Sequence, residues 1–226
     1  MPPYTQFMMC VSLWVGIASY RDPYCGQTLF NLFSKAAFPT RIHVQIIEQD
    51  LDGDPDCMKD YCQLAAGSGH ALCPFQDNIK IYRANAAVAK GPVWARAIQS
   101  NLVDDSEFCM QVDAHMDFTA NWDLSLFQFW GQTKNEYAVL TTYVAGLEQL
   151  DRNINGAWEV PHLCTIQITH EGHIRNEQAK AARWLREPVM TSLWAAGLSF
   201  SKCHAEHNVR NDPFLPYVFD GEEFSR

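Results

Sequence analysis

The chain contains no Cys-x-x-Cys pair, no run of some 20 apolar residues and no surplus of basic charge. Each shortage removes a class of function. A helix needs about 20 apolar residues to cross hydrocarbon, so there is no candidate membrane span. Residues Met1–Ala18 are only moderately apolar and lack a basic start, and they read as a tail entering a strand rather than as a signal peptide. With 17 Lys and Arg against 26 Asp and Glu, the formal net charge of -9 opposes a phosphate backbone. Nucleic acid is thereby excluded as a general partner, although a few arginines can still serve a single nucleotide. The G-x-S-x-G, Walker and G-x-G-x-x-G patterns are missing too, which removes the usual hydrolase, NTPase and dinucleotide motifs. His170-Glu171-Gly172-His173 sets its histidines three apart, not the four that a zinc-binding H-E-x-x-H helix requires.

What is present describes an ordinary globular chain of 226 residues, 47% hydrophobic and 19% charged, long enough for one sizeable core and with no compositional case for disorder. Its eight cysteines are scattered, several inside apolar runs, and read as buried thiols of a soluble protein in a reducing compartment. A disulfide within the Cys57, Cys62 and Cys73 group stays open if the protein is exported. Cys203, His204 and His207 have no second cluster with which to form a zinc site.

Apolar patterning predicts strands over Val11–Ala18, Ile42–Gln49, Ile79–Arg83, Phe108–Val112, Ala138–Thr142 and Leu163–Ile168. Helical spacing predicts Leu29–Ala37 before Pro39, an apolar face of Val93, Trp94, Ala97, Ile98 and Leu102 after Gly91-Pro92, and a helix over Trp122–Thr133. Asp151–Gly156 reads as a loop. Strand, helix, strand succession implies an α/β fold with a parallel sheet. The acidic stretch Asp50–Asp56 has the composition of a calcium loop, but Tyr61 stands where an EF-hand needs its twelfth-position Glu, so it reads as a solvated turn. Gly197, among small residues, implies close approach of backbone to a ligand or a packed neighbour.

The chemistry concentrates at the end of the fourth strand, in Asp113-Ala114-His115. A carboxylate and an imidazole two residues apart at the carboxyl edge of a parallel sheet suit manganese or a similar divalent ion and leave positions open for substrate oxygens. Such an ion bridges two phosphates of a nucleotide and offsets charge on a departing diphosphate, which is the chemistry of transfer from a nucleotide sugar.

The ordered set Ser19-Tyr20-Arg21-Asp22, Gly91-Pro92-Val93-Trp94-Ala95-Arg96, Gln111-Val112-Asp113-Ala114-His115-Met116-Asp117-Phe118, Trp194-Ala195-Ala196-Gly197 and Leu215–Glu223 resembles the GlcNAc-type glycosyltransferases. Their characterised members are cytoplasmic enzymes that attach N-acetylglucosamine to hydroxyproline of Skp1. The resemblance runs from about Val11 to the end, with residues 1–10 as a tail, and implies a GT-A fold, UDP-GlcNAc as donor, a Skp1-like protein acceptor, a divalent metal (Mn2+, or Mg2+) and retention of the sugar's configuration. It further implies Asp113 and His115 as the metal pair and Ser19, Tyr20, Arg21, Asp22, Gly91, Arg96, Gln111, Asp113, Ala196 and Gly197 as donor-binding residues. Arg96 or Arg21 would assist the leaving diphosphate, and Asp220, Glu222 and Glu223 would form the acidic group at the sugar and acceptor face. Two departures accompany it. Asp117 replaces an arginine-like residue, and the family's third metal-binding histidine lies in a continuation past Gly-Glu-Glu, which makes the chain read as truncated, with His204 or His207 as substitutes. The alternative is a catalytically inactive relative that binds nucleotide sugar or protein.

Overall fold

Strand β1 (Leu13–Tyr20) pairs in parallel with β2 (Ile42–Asp50) on one side and β4 (Phe108–Asp113) on the other, while β2 pairs in parallel with β3 (Ile79–Asn85). The computed structural model describes residues 11–70, 73–144, 159–160, 162–177, 182–183, 185–219 and 221–224. The expected tail over residues 1–10, the loop expected over Asp151–Gly156 and the candidate acid Asp220 lie outside these. Strand β10 (Leu198–Lys202) runs antiparallel to β4 and to the short β5 (Leu140–Thr141), giving the order β3-β2-β1-β4-β10-β5. Outside this sheet, β6 (Glu159–Val160) pairs with β9 (Ala182–Arg183), and β7 (Thr165–Ile168) with β8 (Ile174–Glu177). The expected α/β class is observed, and no helix among the described residues is long and apolar enough to cross a membrane.

Alternation along the strands decides what each face of the sheet carries. Leu13, Val15 and Ile17 of β1, Val44 and Ile46 of β2, and Phe108, Met110 and Val112 of β4 join one core with helices α1 (Cys25–Ser34), α2 (Cys57–Gly67) and α4 (Trp122–Gln132). The intervening residues Gly16, Gln45, Gln111 and Asp113 take the opposite face. There α3 (Pro92–Ser100) packs on β1 and β2, and Gln99 donates to the Gln45 carbonyl at 3.0 Å. The expected apolar face of α3 holds in part: Val93 and Ala97 are buried, but Trp94 and Ile98 are only half-buried and Leu102 is exposed, while Ala95, Arg96 and Gln99 are buried, because the surface beneath the helix is built of small and polar residues.

Helix α2 was not expected. Its signal sits inside the acidic stretch: Asp56 is the N-cap, accepting from the Lys59 N–H at 2.9 Å, and Cys57, Tyr61 and Ala65 form a buried stripe at four-residue spacing. His170–His173 is the turn of the β7–β8 hairpin, with the Thr169 N–H donating to the His173 carbonyl at 2.8 Å.

The reading of the cysteines as free buried thiols is overturned. Disulfides join Cys25 to Cys57, Cys62 to Cys73 and Cys109 to Cys203, and Cys164 is the free cysteine among the described residues. The first ties the start of α1 to that of α2, and the third ties β4 to the residue preceding α5 (His204–Asn208). No spacing rule joins cysteines 94 residues apart; the antiparallel register that brings Ser201 opposite Cys109 does so.

Candidate active site

Chain order reverses across the sheet between β1 and β4, where Ala18 sits opposite Asp113. A crevice opens at the carboxyl ends of strands at such a point. Asp113 closes β4 on the α3 side of the sheet, and its Oδ1 accepts from Arg96 Nη2 at 3.0 Å. Arg96, 4% exposed, reaches Glu222 Oε2 with Nη1 at 2.6 Å. One buried guanidinium thus joins two acids 109 residues apart in sequence. Burial pushes the Glu222 carboxyl above the ordinary glutamate range, with Arg96 opposing that shift.

His115 follows on an exposed turn, and its Nδ1 lies 2.7 Å from Asp22 Oδ2. A carboxylate can only accept, so Nδ1 carries the proton and Nε2 keeps its lone pair for a ligand. The hydrogen bond to Asp22 raises the His115 pKa against the effect of burial. Burial pushes Asp22 the other way, and the bonds from His115 and the Tyr24 N–H outweigh it to hold that carboxyl below its ordinary range. Asp22 therefore orients His115.

A cleft of about 310 Å3 is lined by Asp113, His115, Ala196, Gly197, Glu222 and Glu223, together with Tyr143 and Arg175. Gln111 donates to the Ala196 carbonyl at 2.8 Å, and Thr141 Oγ1 both accepts from the Ala195 N–H and donates to its carbonyl. These bonds fix the 195–197 segment against Asp113, and a Cβ on Gly197 would lie 2.7 Å from Asp113 Oδ2. The close approach expected at Gly197 is thus to the candidate metal ligand itself. Tyr143 donates its hydroxyl to Glu223 Oε1 at 3.2 Å, and burial with that acidic neighbour pushes its pKa up to about 12.

Other expected donor residues go elsewhere. Ser19 is buried, paired with Glu48 in the β1–β2 ladder, and Tyr20 is 58% exposed at the strand end. Arg21, at φ 51°, gives Nε and Nη2 to Asp54 at 2.7 and 3.0 Å, so the acidic turn holds this arginine. Gly91, at φ 91°, opens α3 where the Tyr217 N–H donates to the Lys90 carbonyl at 2.6 Å; a Cβ there would stand 3.3 Å from the Tyr217 Cα. Asp117 pairs with Lys35 at 2.7 Å and touches none of the candidate ligands. His204 and His207 lie on α5, beyond the Cys109–Cys203 link, at the opposite end of β4. A strand of this length spans roughly 15–20 Å, so neither completes a site with Asp113. That corrects the suggestion that they substitute for a third ligand. Tyr143 and Arg175 escaped the sequence reading because nothing local marks them; chain folding alone brings them to the cleft.

Comparison with known families finds a match to the model of the glycosyltransferase (GlcNAc) family over residues 12–69 and 59–226. The chain belongs to this family. Comparison with curated protein sequences finds no match. Among solved structures, GalNAc-T7 with UDP, GalNAc and Mn2+ superposes with a TM-score of 0.59 at 13% identity, covering 95% of this chain and 39% of that one. TarS of S. aureus superposes with a TM-score of 0.53 at 14% identity, covering 94% and 32%. The chain therefore spans under two fifths of either protein's length. These likenesses show the expected GT-A fold.

In this GlcNAc-family chain the residues fit a divalent cation. Asp113 Oδ2 and His115 Nε2 are one oxygen and one nitrogen donor, and the Asp22–His115 bond is the outer-shell support that metal-bound imidazoles ordinarily have. No group of three His, Cys, Asp or Glu side chains gathers among the described residues. Gly197→Ala tests the geometry. The added Cβ displaces an Asp113 carboxylate already held by Arg96, and misplacement by about 1 Å costs on the order of 100-fold in rate. Transfer should fall by that order while the melting temperature stays within a few degrees, as measured by UDP release and thermal denaturation.

Proposed function

We propose that the protein is a metal-dependent retaining transferase that moves N-acetylglucosamine from UDP-GlcNAc to a protein hydroxyl, with hydroxyproline of a Skp1-like protein as the acceptor that the resemblance implies. The observation that carries this reading is the junction at the end of β4: Asp113 shared with buried Arg96, and His115 oriented by Asp22, facing the Ala196-Gly197 backbone. Family membership supports the sugar, and GalNAc-T7, solved with UDP and Mn2+, supports the nucleotide and the ion.

Asp113 and His115 would hold the ion, Mn2+ or Mg2+, which when bound supplies positive charge to the diphosphate. The chain's own residues do the rest. Arg96 holds Asp113 in place from its buried side, and Gln111 and Thr141 fix the 195–197 wall against which the sugar packs. Glu222 and Glu223 supply the acidic face that orients sugar and acceptor hydroxyls. The bond from the anomeric carbon to the diphosphate oxygen breaks, the acceptor oxygen bonds to that carbon from the same face, and the hydroxyl proton passes to the departing diphosphate.

The three disulfides support an oxidising compartment instead of the cytoplasm expected from the resemblance.

The test is UDP release from UDP-GlcNAc with Mn2+ and a hydroxyproline-containing acceptor. Release should stop with chelator, return with Mn2+, and be lost on Asp113→Asn. Release indifferent to chelator and to that substitution would sink the metal role, and binding of UDP with no turnover would favour the inactive relative.

A further inference from the structure

We propose that the groove at the amino-terminal edge of the sheet, on the α3 side of β2 and β3, is a binding site for a neutral saccharide, separate from the candidate active site. The groove holds about 290 Å3, close to the lower end of the roughly 300–1,000 Å3 range of small-molecule sites. It shares no lining residue with the Asp113 cleft. Along β1, its Trp14 lies roughly 13 Å of strand before Ala18, the residue opposite Asp113. No step of the transfer reaction uses it.

The strand register builds this groove. Trp14 stands opposite His43, and Gln45 opposite Lys80, in parallel ladders, so all four side chains share the face that carries α3. Lys80 is exposed because β3 is the edge strand. Leu102 and Asp104, just past α3, form a wall, and Asp77 joins the lining from the turn ahead of β3. Gln45 is the residue that points to a ligand. It is 7% exposed and lines the groove, yet its side-chain amide has no hydrogen-bond partner among the described residues. The other three buried glutamines of the sheet and α3 all donate: Gln49 to the Ser19 carbonyl, Gln99 to that of Gln45 itself and Gln111 to that of Ala196. A buried amide left unpaired opposes folding, and a ligand in the groove relieves it.

The lining also selects the ligand's chemistry. His43 Nδ1 lies 2.8 Å from Asp104 Oδ2; the carboxylate can only accept, so Nδ1 donates and, in the neutral ring, Nε2 offers a lone pair. Asp77 and Asp104, set against Lys80, disfavour an anion, and no group of three His, Cys, Asp or Glu side chains gathers among the described residues to hold a metal. What remains suits hydroxyl groups. The Gln45 amide both donates and accepts, the carboxylates and Nε2 accept, and Lys80 donates. Trp14 and Leu102 add an apolar strip for the C–H face of a ring. An uncharged pyranose carries both surfaces.

The native protein, Gln45→Leu and Lys80→Ala are titrated by NMR with methyl glucopyranoside, methyl galactopyranoside, methyl mannopyranoside and N-acetylglucosamine, and with inorganic phosphate as the charged control. At least one sugar should shift the Gln45 side-chain amide and Trp14 indole signals saturably, in Asp113→Asn as in the native protein, while phosphate does not. Gln45→Leu should bind that sugar on the order of 10-fold more weakly, the scale of one hydrogen bond. Its melting temperature should stay within a few degrees of native, because the amide it replaces has no partner to lose. Lys80→Ala, on the exposed strand, checks the loss without touching a buried position. No saturable shift with any of the sugars overturns the proposal, as does native affinity in Gln45→Leu or, should that variant not fold, in Lys80→Ala. Phosphate binding as strong as the sugar's would make the groove an anion site and overturn it too.

Discussion

Arg96→Met should lower stability by about 3–5 kcal/mol, the usual cost of removing one partner of a buried ion pair, and abolish transfer. For a domain of this size that is roughly 6–20 °C in melting temperature. Arg96 is 4% exposed and the Glu222 side chain 13%, so without the guanidinium a carboxylate is left enclosed beside Asp113. The double substitution Arg96→Met with Glu222→Leu should regain most of the stability, because an apolar pair of similar volume needs no counter-charge. It should regain no activity, since Asp113 still lacks its partner. The pH dependence of the single variant separates charge from packing. Burial already raises the Glu222 pKa above its unfolded value, so its protonated form is the one folding favours. The deficit is therefore largest above the folded pKa and shrinks as pH falls through it. Melting curves across pH and UDP-release assays check both parts, and a single variant that melts like the native protein would remove the ion pair from the account.

Reduction of the three disulfides should unfold the protein at physiological temperature. Closing loops of 94, 32 and 11 residues restricts the unfolded chain by about 4.7, 3.7 and 2.8 kcal/mol in the chain-entropy treatment. Together these are comparable to the roughly 5–15 kcal/mol by which domains are stable. Cys109–Cys203 closes the longest loop and links β4, which carries Asp113, to the far end of β10, so Cys109→Ser paired with Cys203→Ser should be the most damaging of the three double replacements. Thiol titration of denatured, unreduced protein should find at most two of the eight cysteines reactive, Cys10 and Cys164, and all eight after reductant. Eight reactive thiols before reduction would restore the reducing-compartment reading. The expected outcome is a protein recovered folded from an oxidising host and lost from a reducing one.

Much of the sheet was legible because its strands are buried on both faces and so read as apolar runs. β1, β2 and β4 fall within about two residues of the stretches expected from Val11, Ile42 and Phe108. Helix α2 was missed although Asp56 and the Cys57, Tyr61, Ala65 stripe spell it out, because the four acids of Asp50–Asp56 read as a solvated turn. β10 was seen as a small-residue stretch around Gly197 but not as a strand, since its pairing to β4 and β5 is antiparallel and made across long separations.

By itself the sequence determined the α/β class, the placing of Asp113 and His115 at a strand end, and the family, because these depend on local periodicity and on motifs a few residues long. Only the tertiary structure decided which charges are engaged. Arg21 goes to Asp54, Asp22 to His115, and Arg96 to both Asp113 and Glu222, while Tyr143 and Arg175 come to the cleft from segments with no motif. The cysteine pairs were decided the same way. Ion pairs and disulfides form between whatever groups the sheet register and the helix crossings bring within a few ångströms, and that proximity is a property of the folded chain with no imprint on sequence spacing.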